Sequence, residues 1–371
     1  MSTTTEPSTA SASSPEARGQ DLVDRLFGSL LSGLELLSVE LGRRLGFYEA
    51  LREHGPIRAA AFAAATDVAE RYAREWLEQQ AAAGFIEASA TPDAALREYS
   101  LPAAHVPVFV DEEDPLYFIG GAMALEGAGL TLPAVAEAYR TGEGVSYDRF
   151  GPEIRGAIAA LNRPGFVHEL ADWVAAMPDV VDRLEAGGAV LDAGCGSGWS
   201  TIALARAFPD ARVVGVDLDA PSIADARRNV AEAGLEERIA IVDGNASDES
   251  ALTSPEGGFA LVTVFEALHD MGEPVKALIA FREVLAPGGA VLVADERVGD
   301  EFTAPADELD RLNYAFSVLH CLPATMAEST SIANGTVLRA PTVHAWAAEA
   351  GFAQSGELPI EHELWRFYRL D

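Results

Sequence analysis

The sequence is poor in cysteine and in basic residues. Cys195 and Cys321 are the only cysteines in 371 residues. That is too few for a disulfide-dependent secreted fold, and it fits a reducing, cytoplasmic setting. Lysine and arginine total 26 against 58 aspartate and glutamate, a net charge of −32. Such a charge repels nucleic-acid phosphates and anionic membranes and suits action on a small molecule. No apolar run reaches membrane-spanning length, and the Ser/Thr/Pro/Ala-rich start carries no apolar signal segment. Hydrophobic residues make up 49% of the chain, enough for the cores of two domains.

The most informative stretch is 189–219, AVLDAGCGSGWSTIALARAFPDARVVGVDLD. The apolar run Ala189-Val190-Leu191 reads as a buried parallel strand. Asp192 follows, then Gly194, Gly196 and Gly198. A helical pattern begins near Thr201, and a second strand, Val213–Val216, ends at Asp217. Glycines that let the backbone approach a ligand, a helix start with free N–H groups and an acid at the tip of the next strand together describe a nucleotide-type site.

The pattern Asp-x-Gly-x-Gly-x-Gly resembles motif I of class I S-adenosylmethionine-dependent methyltransferases. The resemblance implies that Asp192, Gly194 and Gly196 hold the aminoacyl end of the cofactor. It implies that Asp217, followed by Leu218, holds the ribose, and that Asp243-Gly244 after the third strand contacts the adenine. Phe265, at the end of the fourth strand, belongs to the same cofactor set. The implied fold is α/β: a Rossmann-like, seven-stranded, mostly parallel sheet with an antiparallel last strand. Strands near 352–359 and 363–370 supply the antiparallel pair.

The chain is expected to divide into a disordered tail at 1–19, a winged-helix-like dimerisation domain at 20–102, a helical linker and lid at 103–185, and the catalytic domain at 186–371. Apolar spacing over 21–53, helices near 57–65 and 67–83, and strands at 85–88 and 97–101 make up the winged-helix arrangement. The helix over 67–83 sets Glu70, Glu75 and Glu78 against Arg71 and Arg74, a poor reading head for DNA. A homodimer through this domain is the expected assembly. In the lid, Tyr147 is placed beside the methionine sulfur, and Arg149, Arg155 or Arg163 is available for a substrate carboxylate.

His269 and Asp270 follow the fourth strand, at the sheet edge where ligands bind in open α/β folds. His320 lies on a helical stretch over 305–328, with Tyr314 and Ser317 about two turns and one turn before it and placed to line the pocket. The phrases Glu75-Trp76-Leu77-Glu78-Gln79-Gln80, Leu161-Asn162-Arg163-Pro164 and Leu268-His269-Asp270-Met271-Gly272 resemble bacterial two-domain methyltransferases. A narrower resemblance is to metal-dependent α-keto acid C-methyltransferases of natural-product pathways. It implies a metal, iron, zinc or cobalt, on His269, Asp270 and His320, and methylation at the β-carbon of a carboxylate-bearing substrate. Cys321 is a possible soft ligand, although helix neighbours point different ways. The alternatives are a metal-free O- or N-methyltransferase with His269 as base and an S-adenosylmethionine-sensing regulator. His54, His105, His168, His344 and His362 show no partner pattern.

Overall fold

A computed structural model describes residues 14–248, 252 and 254–371. The chain forms two compact units that divide between His105 and Val106. The expected disordered tail lies outside the described residues as far as Ser13. Its end does not: Ser14 caps a helix over Pro15–Arg44 by accepting from the Ala17 N–H.

The first unit packs helices Pro15–Arg44, Phe47–His54, Ala59–Ala65 and Glu70–Ala82 with a small antiparallel sheet. Its strands are β1 (Ile57–Arg58), β2 (Glu87–Ala88) and β3 (Glu98–Ser100), in the order β1-β3-β2. The core is aromatic: Trp76 meets Phe47 edge-on at 4.7 Å and Tyr48 at 5.4 Å. Its indole N–H donates to the Ser38 carbonyl. Gly42 is required there, because a Cβ would come within 2.4 Å of the Trp76 ring. The arginines of the 70–82 helix are ion-paired with acids, Arg74 with Glu70 and Arg71 with Glu75.

The second unit holds the sheet of β4 (Ala189–Ala193), β5 (Arg212–Asp217), β6 (Ile239–Asp243), β7 (Phe259–Phe265), β8 (Leu285–Glu296), β9 (Ser355–Glu357) and β10 (Trp365–Leu370). The order is β6-β5-β4-β7-β8-β10-β9. The first five strands run parallel, and β10 pairs antiparallel with both β8 and β9. β7 is buried at every residue, as expected for a central parallel strand covered on both faces. The order reverses between β4 and β7, and a crevice forms beyond the strand ends at such a switch point.

By length and composition the helix Ile119–Thr141 would suffice to cross a membrane, which the sequence reading did not anticipate. Its glycines serve close helix packing. A Cβ on Gly120 would strike Leu161, and one on Gly127 would strike Ile154, both on the Gly151–His168 helix.

Candidate active site

A cavity of about 250 Å³ opens at the switch point. One wall is the loop Gly194–Ser197 with the following helix Trp199–Ala207, and another is Asp217–Asp219 with Gly244–Ala246. The Gly151–His168 helix covers it with Arg155, Asn162 and Phe166, and Tyr147 joins from the preceding turn. The loop needs its glycines: Gly194, Gly196 and Gly198 all have positive φ, and a Cβ on Gly194 would lie 2.7 Å from the Ala267 Cβ.

Of the expected cofactor residues, Gly194, Gly196, Asp217, Leu218, Gly244, Phe265 and Tyr147 line this cavity. Asp217 accepts from the backbone N–H groups of Gly196 and Asp219, both at 2.8 Å, so its carboxylate ties the glycine loop to the tip of β5. Burial pushes it up to about 6.

Two expected positions differ. Asp192 is buried behind the loop, outside the lining, and accepts from Ser200 Oγ at 2.7 Å, Thr201 Oγ1 at 2.6 Å and Thr263 Oγ1 at 2.8 Å. Three hydroxyls occupy the carboxylate, so it braces β4 against the helix and β7 rather than facing a ligand. Asp243 is exposed and outside the lining, where Gly244, Asn245 and Ala246 take its place.

His269 is buried on a short turn over Leu268–Asp270. Its Nδ1 lies 2.8 Å from Asp295 Oδ1, and its Nε2 lies 3.4 Å from Asp270 Oδ1. Burial alone would lower the imidazole pKa. The charges of Asp295 and Asp270 outweigh it and hold the ring well above its ordinary 6.5. Asp270 reaches the cavity, and its Oδ1 is buried without a hydrogen bond.

His320 does not join this group. A π-helical turn over Ser317–Cys321 interrupts the helix, and its wider winding rotates the side chains that follow. Cys321 consequently faces His269 and Asp270, and the three residues each offer one ligand atom within 4.8 Å of the others. His320 packs 4.5 Å from the Phe150 ring and 5.6 Å from Tyr147, and its Nε2 has no hydrogen bond. Tyr314 and Ser317 lie outside the lining, and the Tyr314 hydroxyl accepts from Arg339 at 3.0 Å. Among the three arginines considered, Arg149 is exposed. Arg163 is bound to Glu112 and Glu113 and lies 3.7 Å over the Trp199 ring. Arg155 alone lines the cavity, 3.6 Å from Asp219.

Sequence reasoning missed three acids. Asp295 and Glu296 close β8, and Glu266 follows β7. Glu266 lines the cavity and accepts from the Asn162 amide. Burial raises both Glu266 and Glu296. The two carboxyls share a hydrogen bond, which requires a proton between them. Acids at strand ends in an open α/β sheet are the signal that would have found all three.

A family model described as a methyltransferase domain matches residues 190–289, and one described as an Rv2258c-like winged HTH domain matches 33–110. A demethylmenaquinone methyltransferase of Renibacterium salmoninarum is 31% identical over 177 residues, 47% of this chain and 68% of the relative. That of Thermus thermophilus is 36% identical over 29% of this chain, which spans 46% of that relative's length. Among solved structures, the mitomycin 7-O-methyltransferase MmcR superposes with a TM-score of 0.66 at 19% identity, over 96% of this chain and all of that one. Motif, sheet order, cavity and these matches agree: the chain belongs to the S-adenosylmethionine-dependent methyltransferases and carries an N-terminal winged-helix domain.

Proposed function

We propose that the protein transfers the methyl group of S-adenosylmethionine to a hydroxyl oxygen of a small aromatic molecule. The observation that carries this reading is the chain Asp295–His269–Asp270, which ends at the cavity wall. Asp295 fixes the imidazole through Nδ1. Nε2 stands behind the Asp270 carboxylate, so a proton leaving the acceptor hydroxyl passes through Asp270 to His269. The oxygen then attacks the methyl carbon, the sulfur–carbon bond breaks, and S-adenosylhomocysteine departs. Alignment of oxygen, carbon and sulfur provides much of the rate.

Among the described residues the lining is acidic, with Asp217, Asp219, Asp225, Glu266, Asp270 and Glu328 against one basic side chain, Arg155. That environment suits a sulfonium cofactor and a neutral acceptor better than the carboxylate-bearing substrate implied by the narrower resemblance. Methylation of hydroxyaromatics by purified protein, with the product analysed by mass spectrometry and NMR, tests the reading. An O-methyl ether supports it, and a new carbon–methyl bond contradicts it.

A second reading rests on the grouping of His269, Asp270 and Cys321. Imidazole, carboxylate and thiolate suit zinc or iron. A metal there would act as a Lewis acid in C-methylation, with Cys321 in the place expected for His320. Elemental analysis of wild type beside Cys321→Ser decides it.

We also propose a homodimer through the Pro15–Arg44 helix. Leu22, Leu26, Phe27, Leu30, Leu34 and Leu37 are all exposed on it, a longer apolar face than single chains commonly leave uncovered.

A further inference from the structure

The amino-acid end of S-adenosylmethionine carries an ammonium, and Asp192, the acid expected to hold it, is occupied by three hydroxyls behind the loop. Another acid stands in the cavity at the matching end. The Gly151–His168 helix orders the cavity along its length. Arg155 meets Asp219 beside the tip of β5, and Asn162, two turns on and about 10 Å further along the axis, donates to Glu266. The adenosine-side residues Asp217–Asp219 and Gly244–Ala246 thus lie towards one end and Glu266 towards the other. The residue after Glu266 packs on the glycine loop, since Ala267 is what a Cβ on Gly194 would strike. Glu266 itself has φ +50°, a conformation that a non-glycine residue adopts at a cost and that here turns its side chain to the lining.

We infer that Glu266 holds the α-ammonium of S-adenosylmethionine by a charge-assisted hydrogen bond, that Asn162 and Glu296 aim it, and that Asp192 only braces the loop. The inference rests on the cavity being the cofactor site. Glu266 and Glu296 share a hydrogen bond and hence one proton, which leaves one negative charge on the pair beside the Asn162 amide.

Calorimetric binding of two ligands tests this: S-adenosylhomocysteine, and its analogue without the amino group, 5′-S-(3-carboxypropyl)-5′-thioadenosine. Wild type should prefer the amino compound by roughly tenfold or more, the worth of one charge-assisted hydrogen bond. Glu266→Gln should lose that preference by weakening only the amino compound. Should Glu266→Gln fail to fold, as judged by its melting curve, Asn162→Leu leaves the carboxyl pair in place and should reduce the same preference. Full preference retained in whichever variant folds would overturn the assignment. Wild type that binds neither compound would instead remove the cofactor site on which it rests.

Discussion

His269 Nδ1 and Asp295 Oδ1 are 2.8 Å apart at the carboxyl edge of the sheet, and both side chains are buried. Asp295 lies near the end of β8 while His269 follows β7, so the pair ties these two neighbouring strands at the point where the cavity begins. The pairing sets the orientation of the ring and favours its charged form.

The first prediction follows from that charge. His269 accepts a proton only when neutral, and the neighbouring acids hold its pKa above 6.5. Activity should therefore rise with pH through a value above 6.5, and Asp295→Asn should move this limb to lower pH while reducing the maximal rate by about 10²-fold or more. The stability effect has a definite sign. A histidine whose folded pKa is raised stabilises fully below its unfolded value and loses that contribution as pH rises through the folded value. Asp295→Asn should thus lower the melting temperature most in mildly acidic buffer and least in alkaline buffer.

Asp217 yields a second limb of the same sign, at lower pH. Its pKa stands at about 6 instead of 3.8, and the ribose hydroxyls it is proposed to hold would donate to the ionised form. Affinity for S-adenosylhomocysteine should fall as pH drops below about 6, where binding releases one proton. Asp217→Ala should abolish measurable binding by calorimetry at any pH. Unchanged affinity in the variant would remove this residue from the site. The stability sign is reversed from that of a salt-bridged acid: the raised pKa stabilises below 3.8, and that contribution is lost as pH rises through 6.

The cofactor loop and the sheet were legible because they rest on local patterns: glycines in sequence, apolar runs of strand length and an acid closing β5. The fate of Asp192 was not legible. Whether an acid faces a ligand or three hydroxyls depends on Thr263, which comes from β7, far along the chain. The exchange of His320 for Cys321 was hidden for a different reason. A π-turn changes the angular offset between neighbours, and helical periodicity read at a uniform 3.6 residues per turn cannot register it.

The lid depends on one close approach. Val145 N–H donates to the Pro323 carbonyl at 2.9 Å, and a Cβ on Gly144 would lie 1.9 Å from the Ala327 nitrogen. Gly144→Ala should force the segment that carries Tyr147 away from the 322–328 helix, at a cost of about 1–3 kcal/mol. Chemical denaturation measures the loss, and cofactor affinity should weaken with it.

In the N-terminal unit, the paired charges Leu26→Glu and Leu30→Glu lie on the exposed apolar face. Sedimentation should show a dimer for wild type and a monomer for the double variant, with the variant's helical signal retained. A monomeric wild type at micromolar concentration would contradict the proposed assembly.

The most direct test of the central claim is transfer of the labelled methyl group from S-adenosylmethionine to a hydroxyaromatic acceptor, comparing wild type with His269→Gln. The account predicts an O-methyl ether from wild type and a rate at least about 10²-fold lower in the variant, with S-adenosylhomocysteine affinity unchanged because His269 lies outside the cavity lining. Equal rates in the two proteins, or a product methylated at carbon, would contradict it.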